Sequence, residues 1–194
     1  MNLVTFTIIL VLYFTFHSVL ASNNVKRFLQ SYIPSKSYRL LFTLQSTAFL
    51  GILFFYYLQL SNTIIFESPR NLGLIILIVG SFLLLVAARQ YHFGEFIGTY
   101  QFFHNGNSPA HGLSKKGLNR LIRHPLYTAT IILLIGLLFY QPYLKSAVLA
   151  IVSLLYIFIG TKLEETKLTQ QFGEEYINYK KQVGMFLPKI KFKR

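Results

Sequence analysis

Five long apolar runs divide this chain and constrain its fold more than any other feature. They lie at Leu3–Ser22, Tyr38–Leu60, Leu72–Tyr91, Leu126–Tyr140 and Tyr143–Gly160. Several reach the roughly 20 residues that an α-helix needs to cross a bilayer. Of the 194 residues, 53% are hydrophobic and 13% are charged, which is about half the charged share of an ordinary soluble domain. The sequence therefore predicts an all-α integral membrane protein with about five transmembrane helices.

The short connection between the last two runs predicts a helical hairpin. Only Gln141 and Pro142 separate them, and a proline cannot continue a helix without the loss of a hydrogen bond. The fourth run is short for a span. The first run is longer than the apolar region of a typical signal peptide and lacks a basic segment before it. We therefore expect the first run to be retained as a span.

The distribution of basic residues predicts the orientation of the chain in the membrane. Most of them lie in the first loop, the third loop and the C-terminal segment. The second loop has only Arg70, offset by Glu67, and the hairpin turn region has only Lys145. Because cytoplasmic loops carry the excess of Lys and Arg, we expect the N-terminus outside and the C-terminus in the cytoplasm.

The net charge of +13 does not indicate a nucleic-acid-binding protein. The basic residues lie in short loops between spans and not on a stripe interleaved with aromatic residues. The absence of cysteine excludes disulfides, thiolate metal ligands and cysteine nucleophiles. The histidine and glutamate residues are scattered without ligand spacing, so we predict no metal site. No obligatory protein partner is evident, and membrane lipids are the expected surroundings.

Two polar segments predict a cytoplasmic cap. The third loop, from Phe93 to Asn119, contains five glycines, and loops of this length are usually lids or binding loops. The segment from Thr161 to Val183 is helical in character, with a bend expected at Phe172-Gly173 and a stop at Pro188. We predict a single domain over residues 1–194. Three spans occupy residues 1–93, and the loop, hairpin and C-terminal helix occupy residues 94–188.

The first candidate motif is Arg-His-Pro-Leu-Tyr at residues 123–127, where the fourth span begins. Proline suits the first position of a helix, whose free N–H groups and dipole favour an anion. With Arg123 and His124 beside it, this helix start could bind a carboxylate. The alternative is that both side chains only anchor the span at the lipid headgroups.

The second candidate motif follows the fifth span. Glu164 and Glu165 are adjacent, and Tyr176 and Tyr179 lie three residues apart on one helix face. A carboxylate there can pair with an amino group or accept a hydrogen bond from a ribose, and the tyrosines could stack on an adenine. The alternatives are a solvated helix turn paired with nearby lysines and an interfacial aromatic belt.

Together the two motifs resemble the C-terminal signature of the membrane methyltransferases that use S-adenosylmethionine. This group includes the isoprenylcysteine carboxyl methyltransferases and the phospholipid N-methyltransferases. The second motif reads Glu-Glu-x-x-Leu-x-x-x-Phe-Gly-x-x-Tyr-x-x-Tyr over residues 164–179 and is followed by Leu187-Pro188. The resemblance covers about residues 112–188. It implies S-adenosylmethionine as cofactor and S-adenosylhomocysteine as product, bound on the cytoplasmic side. The implied cofactor-binding residues are His124, Pro125, Leu126, Tyr127, Glu164, Glu165, Tyr176 and Tyr179, with Arg123 as a candidate catalytic residue near cofactor or substrate.

The N-terminal half resembles the NnrU-like proteins and the related methanethiol S-methyltransferases. The resemblance rests on Phe-His-Ser-Val-Leu-Ala-Ser at residues 16–22 and Tyr-Arg-Leu-Leu-Phe at residues 38–42. His17 lies inside the first span, and Glu95 follows the third. Intramembrane ionisable groups usually face a cavity, and a thiol must lose its proton to attack. His17 and Glu95 are therefore further candidate catalytic residues. The alternative is that His17 makes a structural hydrogen bond to a neighbouring helix.

The favoured reaction is S-methylation of a small or lipophilic thiol. Isoprenylcysteine enzymes tend to have an arginine a few residues before the acidic pair, where this chain has Lys162, and a lysine cannot form a bidentate fork with a carboxylate. The alternative acceptors are an isoprenylcysteine-type carboxylate, methylated on oxygen, and a phospholipid amine, methylated on nitrogen. The alternative functions are a non-catalytic membrane protein of the same fold and a reductase-like protein that binds a nicotinamide cofactor.

Overall fold

The computed structural model describes residues 2–109 and 112–189, and within them the chain is helical, as predicted. The α-helices in this part of the chain are α1 (Leu3–Leu20), α2 (Asn23–Leu29), α3 (Ser35–Leu58), α4 (Arg70–Ala88), α5 (Phe93–Ile97), α6 (Thr99–Phe103), α7 (Pro125–Tyr140), α8 (Leu144–Phe172) and α9 (Glu174–Gln182). A short 3₁₀ helix, η1, covers Gly117–Arg120. No β-strand forms in the described residues. Isolated bridges join Ile64 to Tyr143 and Ile122 to Gly184.

Each predicted apolar run is a helix at nearly the predicted position. Helices α1, α3, α4 and α8 are long and apolar enough to cross a membrane, whereas α7 is a shorter apolar helix of 16 residues. The chain is an integral membrane protein, and the orientation of its termini stays a prediction. Helix α8 has 29 residues and continues past the predicted end of the fifth span as far as Phe172.

The hairpin and the bend follow the sequence prediction. Helix α7 ends at Tyr140, and α8 begins at Leu144. Gly173 separates α8 from α9 with φ of +53°, in the left-handed region that glycine adopts without a Cβ penalty. This conformation ends the long helix and lets α9 start in a new direction.

The described chain forms two compact units. The first contains Met1–Ile65, Tyr91–Ala110 and Tyr143–Val152, and the second contains Phe66–Gln90, His111–Pro142 and Ser153–Arg194. The first turns of α8 therefore belong to the first unit and the remainder to the second. The assignment of residues 1–194 to a single domain stays a prediction.

The first unit is built on an aromatic and aliphatic contact between α1 and α3. Its buried core consists of Phe6, Leu10, Leu53, Tyr57 and Leu60. Some polar side chains inside this unit donate to backbone carbonyls. For example, the Tyr38 hydroxyl donates to the Leu20 carbonyl at 2.6 Å. The outer faces of both helices carry exposed leucine, isoleucine and phenylalanine side chains, as expected for helices that face lipid.

The second unit is built on a close backbone approach between α4 and α7. A Cβ added at Gly73 would lie 2.3 Å from the Tyr140 nitrogen, and one added at Gly136 would lie 2.8 Å from the Leu77 nitrogen. Small residues at such contacts let two membrane helices pack backbone to backbone. This pairing fixes α7, which begins at the proline of the Arg-His-Pro motif.

Candidate functional site

The start of α7 is held by a segment near the C-terminus. We call residues 183–186 the C-terminal strap. The backbone N–H of Arg123 donates to the Gly184 carbonyl at 2.8 Å, and that of His124 donates to the Met185 carbonyl at 3.2 Å. The Thr128 hydroxyl donates to the Phe186 carbonyl at 3.0 Å. The strap therefore pairs with the chain that enters α7 and covers its first turn.

Glu165 is the centre of a buried ionic network. Its Oε1 accepts hydrogen bonds from Arg123 Nε at 2.7 Å and from Arg123 Nη2 at 2.6 Å. Its Oε2 lies 3.0 Å from Lys180 Nζ. The side chains of Arg123 and Glu165 are only 7% and 5% exposed. Both carboxylate oxygens of Glu165 are thus already paired with positive groups of the protein.

Arg123 has an acceptor for every guanidinium nitrogen. Nη1 donates to the backbone carbonyls of Lys180 and Val183, while Nε and Nη2 are bound to Glu165. The planar guanidinium fork suits this fixed arrangement. In this conformation Arg123 holds the carboxylate and the strap together, and its predicted contact with cofactor or substrate stays a prediction.

His124 is the N-cap residue of α7 and is buried. Its Nε2 lies 3.3 Å from Glu165 Oε1, and its Nδ1 lies 3.8 Å from Glu164 Oε2. Burial lowers the pKa of His124, although the two carboxylates act in the opposite direction. The ring is therefore neutral near pH 7. Nε2–H donates to Glu165, and Nδ1 is left as an acceptor.

Glu164 differs from its neighbour in exposure and in partners. Its side chain is 44% exposed, against 5% for Glu165. Its Oε2 is nevertheless buried and has no hydrogen-bond partner among the described residues. Two acceptors, Glu164 Oε2 and His124 Nδ1, thus lie 3.8 Å apart, and no described residue donates a hydrogen bond to Glu164 Oε2. Buried polar groups are normally paired, so this arrangement is suited to a donor group from outside the chain.

The two tyrosines of α9 are buried in its contact with α8. Tyr176 and Tyr179 form a core with Val183, and their ring centroids are 6.0 Å apart. The Tyr179 hydroxyl donates to the Asn119 carbonyl. Burial, reinforced by the charge of Glu165, raises the pKa of Tyr176 well above its usual range. Their predicted stacking on an adenine stays a prediction, and in this structure both rings pack against protein.

A model of one protein family matches almost the whole chain. The family is described as NnrU protein, and the match covers residues 5–186. The chain belongs to the NnrU family.

Three curated relatives are similar over most of this NnrU chain. It is 31% identical over 189 residues to a methanethiol S-methyltransferase of Pseudomonas deceptionensis, with 90% of this chain and 68% of that protein covered. It is 31% identical over 192 residues to that of Pseudomonas sp. (strain GM41(2012)), covering 94% and 72%. It is 28% identical over 190 residues to that of Crocosphaera subtropica, covering 90% and 70%. No solved structure matches.

The remaining predicted cofactor residues of the NnrU chain lie in the first turn of α7. Pro125 occupies the first helical position, as predicted, and is buried. Leu126 and Tyr127 follow it, and the Tyr127 ring stacks on that of His124 with centroids 5.6 Å apart and an interplanar angle of 23°. The backbone N–H groups of a first helical turn have no partner within the helix. Their predicted role in holding an anion stays a prediction.

His17 and Glu95, the other two candidate catalytic residues, belong to the first unit. The His17 Nδ1 lies 3.0 Å from the Ser46 hydroxyl, and its ring packs on Phe42 at 4.8 Å. The Glu95 backbone carbonyl accepts a hydrogen bond from Gln101 Nε2. The cluster around Glu165 is assembled from the second unit without either residue, and their predicted catalytic roles stay predictions.

Sequence reasoning missed two parts of the site. Lys180 follows the second motif directly, but a lysine in a basic tail gives no local signal that it pairs with Glu165. The strap is a short apolar stretch that contacts the start of α7, about 60 residues away in sequence.

The described chain contains no group of three or more His, Asp and Glu side chains that could hold a metal ion.

Proposed function

We propose that this protein is a membrane methyltransferase that uses S-adenosylmethionine to methylate a small thiol such as methanethiol. The reaction class is supported by relatives named methanethiol S-methyltransferase, each matched over at least 90% of this chain. The position of the site is supported by the two motifs, which meet in one buried cluster of the second unit.

The observation that carries this proposal is the pair of acceptors without a donor. Glu164 Oε2 and His124 Nδ1 lie 3.8 Å apart, and Glu164 Oε2 is buried and unsatisfied in the described chain. An ammonium group donates several hydrogen bonds and carries the charge that a carboxylate favours. The amino group of the methionine part of S-adenosylmethionine fits this donor requirement. A helix N-terminus favours an anion, so the start of α7 suits its carboxylate.

The aromatic pair beside these acceptors suits the positive sulfonium. The rings of His124 and Tyr127 are stacked with their centroids 5.6 Å apart, and cations are attracted to the faces of aromatic rings. When bound, S-adenosylmethionine supplies a methyl group on sulfonium sulfur, and its transfer to a thiol leaves a thioether, S-adenosylhomocysteine and one proton. His124, Tyr127 and Glu164 would hold the donor.

The surrounding residues fix the geometry of these three side chains. Arg123 and Lys180 hold the Glu165 carboxylate, and Glu165 accepts from His124 Nε2, which sets the imidazole tautomer. The strap covers the start of α7. Fixed alignment of donor and acceptor supplies a large share of catalysis in a displacement reaction.

His17 remains the predicted group that takes the thiol proton. Within the described chain its Nδ1 is the ring nitrogen with a hydrogen-bond partner, the Ser46 hydroxyl. Nε2 is therefore the nitrogen proposed for proton transfer, with Ser46 fixing the ring. His17→Asn should retain cofactor binding and lose thiol methylation.

The test of the site is calorimetric titration of detergent-purified protein with S-adenosylhomocysteine. We expect micromolar binding by the wild type, and at least tenfold weaker binding by Glu164→Gln, because loss of a charge-assisted hydrogen bond costs roughly 1.5–3 kcal/mol. Glu174→Gln removes the same charge from an exposed position on α9 and is the matched control. Normal binding by Glu164→Gln would show that the site is wrong.

The test of the reaction is headspace detection of dimethyl sulfide from methanethiol and S-adenosylmethionine. Formation of dimethyl sulfide that is lost in Glu164→Gln and kept in Glu174→Gln would support thiol methylation. Binding of S-adenosylhomocysteine without turnover of thiols, carboxylates or amines would favour the non-catalytic alternative. Binding of NADPH in place of S-adenosylhomocysteine would overturn the proposal in favour of a reductase.

A further inference from the structure

The second unit also contains a cavity with a basic lining, unlike the acceptor pair formed by Glu164 Oε2 and His124 Nδ1. Its volume is about 390 Å³. Three basic side chains and three apolar side chains form most of its lining, and it has no acidic lining residue in the described chain. These side chains are Lys115, Arg120, Lys189, Leu121, Val183 and Pro188. We call this space the basic cavity.

The three basic residues of the basic cavity differ in their partners. Lys115 pairs with Glu175 at 2.7 Å. Lys189 donates to the carbonyls of Lys180 and Lys181 at 2.9 and 2.8 Å, so it is fixed at the C-terminal end of α9. The Arg120 side chain has no hydrogen bond or ion pair within residues 2–109 and 112–189. Its five guanidinium donors are therefore available to an anion.

The apolar side of the basic cavity lies where the chain approaches the membrane. Leu121 is 55% exposed and precedes by four residues Pro125, the first residue of the apolar helix α7. Leu187, next to Pro188 of the lining, is 75% exposed. Basic groups beside exposed leucines one turn before an apolar helix are at the level where lipid headgroups meet acyl chains.

We propose that the basic cavity binds the phosphodiester of an anionic phospholipid. Arg120 and Lys189 face the phosphate, and Leu121 and Pro188 contact the glycerol and the first acyl carbons. The planar guanidinium of arginine suits the oxygens of a phosphate. A soluble nucleotide fits this cavity less well, because Leu121, Val183 and Pro188 make one side of the lining apolar. Tyr179, a predicted cofactor residue, also lines the cavity, but lipid binding there does not depend on the proposed methyl-transfer chemistry.

The experiment compares lipid retention by the full chain in nanodiscs. The protein is reconstituted in discs of phosphatidylcholine that contain a minor share of phosphatidylglycerol. It is then transferred into detergent, and the lipids that stay bound to it are identified and counted by native mass spectrometry. We expect phosphatidylglycerol to be retained and Arg120→Gln/Lys189→Gln to weaken its binding about thirtyfold, since each of the two basic residues near an anionic lipid contributes about 1 kcal/mol. Lys26→Gln/Arg27→Gln removes the same charge from exposed positions of α2 and should change retention little.

The single variant Arg120→Gln separates binding from folding. Because the Arg120 side chain has no partner in the described chain, its replacement should leave thermal unfolding unchanged and still weaken retention severalfold. Equal losses in the cavity and control variants would overturn the proposal, as would unchanged retention in Arg120→Gln. A second arm titrates glycerol 3-phosphate into protein in pure phosphatidylcholine discs. Saturable binding there that displaces phosphatidylglycerol would assign the cavity to a soluble phosphate and overturn the lipid assignment.

Discussion

Among the described residues, each compact unit buries one lysine or arginine side chain, and the two side chains are paired in different ways. In the second unit, Arg123 binds the Glu165 carboxylate and two backbone carbonyls. In the first unit, Lys145 is 5% exposed and donates to the carbonyls of Tyr57 and Leu60 at 3.3 and 3.0 Å. No carboxylate of the described residues forms a salt bridge with Lys145.

The pairing of Lys145 is what a helix end requires. Helix α3 ends at Leu58, so the carbonyls that Lys145 binds belong to its last turn and the residues just beyond, where helical acceptors lack partners. The helix dipole favours a cation there, and the Tyr57 ring lies under the ammonium at 4.8 Å. Lys145 therefore has a sufficient structural explanation.

The pairing of Arg123 is more than a helix end requires. A buried ion pair rarely stabilises a fold more than apolar residues of similar size would, because desolvation offsets the attraction. Here the pair joins the start of α7, the acidic turn of α8 and the strap, and it orients His124. In this protein the buried charge that has an opposite charge and a neighbouring imidazole lies at the candidate site, whereas the buried charge bound only to carbonyls stabilises a helix end.

The largest expected effect comes from breaking the site pair. Glu165→Gln leaves Arg123 and Lys180 without their counterion, and removal of one partner from a buried pair costs about 3–5 kcal/mol. We expect a large fall in the thermal unfolding midpoint in detergent and loss of S-adenosylhomocysteine binding. Exposed Glu174→Gln is the control and should leave both unchanged. A Glu165→Gln protein as stable as the wild type would mean that the network is not formed.

The second expected effect comes from the strap. A Cβ at Gly184 would lie 1.8 Å from the Leu187 carbonyl oxygen, whereas a Cβ at Gly160 would meet nothing within 4 Å. Gly184→Ala should therefore force the strap away from Arg123 and destabilise the protein by about 1–3 kcal/mol. Gly160→Ala should be neutral or slightly stabilising, since alanine is favoured in a helix. Hydrogen exchange of the first turn of α7 measures the difference, and equal protection in both variants would contradict it.

The substitution Lys145→Met tests the pairing of Lys145 with backbone carbonyls in the first unit. Methionine keeps the aliphatic volume and removes the ammonium, so two buried carbonyls lose a donor at a cost of about 1–3 kcal/mol. No opposite charge is stranded, so the loss of stability should be smaller than for Glu165→Gln. Cofactor binding should not change. Lys162→Met, at an exposed position of α8, is the control in the same unfolding assay, and weakened cofactor binding in Lys145→Met would mean that the distinction is wrong.

The local features of the fold could be predicted from sequence. The lengths of the apolar runs located the long helices within a few residues, and Gly173 located the bend between α8 and α9. Both features could be predicted because they depend on residues that are adjacent in sequence. The two motifs also located Arg123, His124 and Glu165 as one group, although Arg123 and Glu165 are 42 residues apart. That prediction came from the family resemblance and not from a local pattern.

The partners of these side chains could not be predicted from sequence. Lys180 and Lys162 look alike in a basic segment, but only Lys180 contacts Glu165. The roles of Glu164 and Glu165 also look interchangeable in sequence, and the structure separates them because Glu165 points into the network while Glu164 is 44% exposed. Such differences depend on packing between residues that are far apart in sequence, and the neighbouring residues give no information about it.

The smallest expected effect is a pH dependence that sharpens the description of the site. Burial lowers the pKa of His124 below its usual value of about 6.5, despite the nearby carboxylates. The unfolded chain therefore binds the proton at higher pH than the folded chain does. The stability contributed by neutral His124 is complete above about pH 6.5 and is lost as the pH falls through the pKa of the folded state.

Unfolding midpoints of wild type and His124→Gln between pH 5 and pH 8 measure this contribution as a difference in slope, with exposed His104→Gln as the control. A slope difference of the opposite sign, with the wild type gaining stability relative to His124→Gln as the pH falls, would mean that the folded imidazole is protonated. Nδ1 would then be a donor to Glu164 and not the second acceptor of the proposed site.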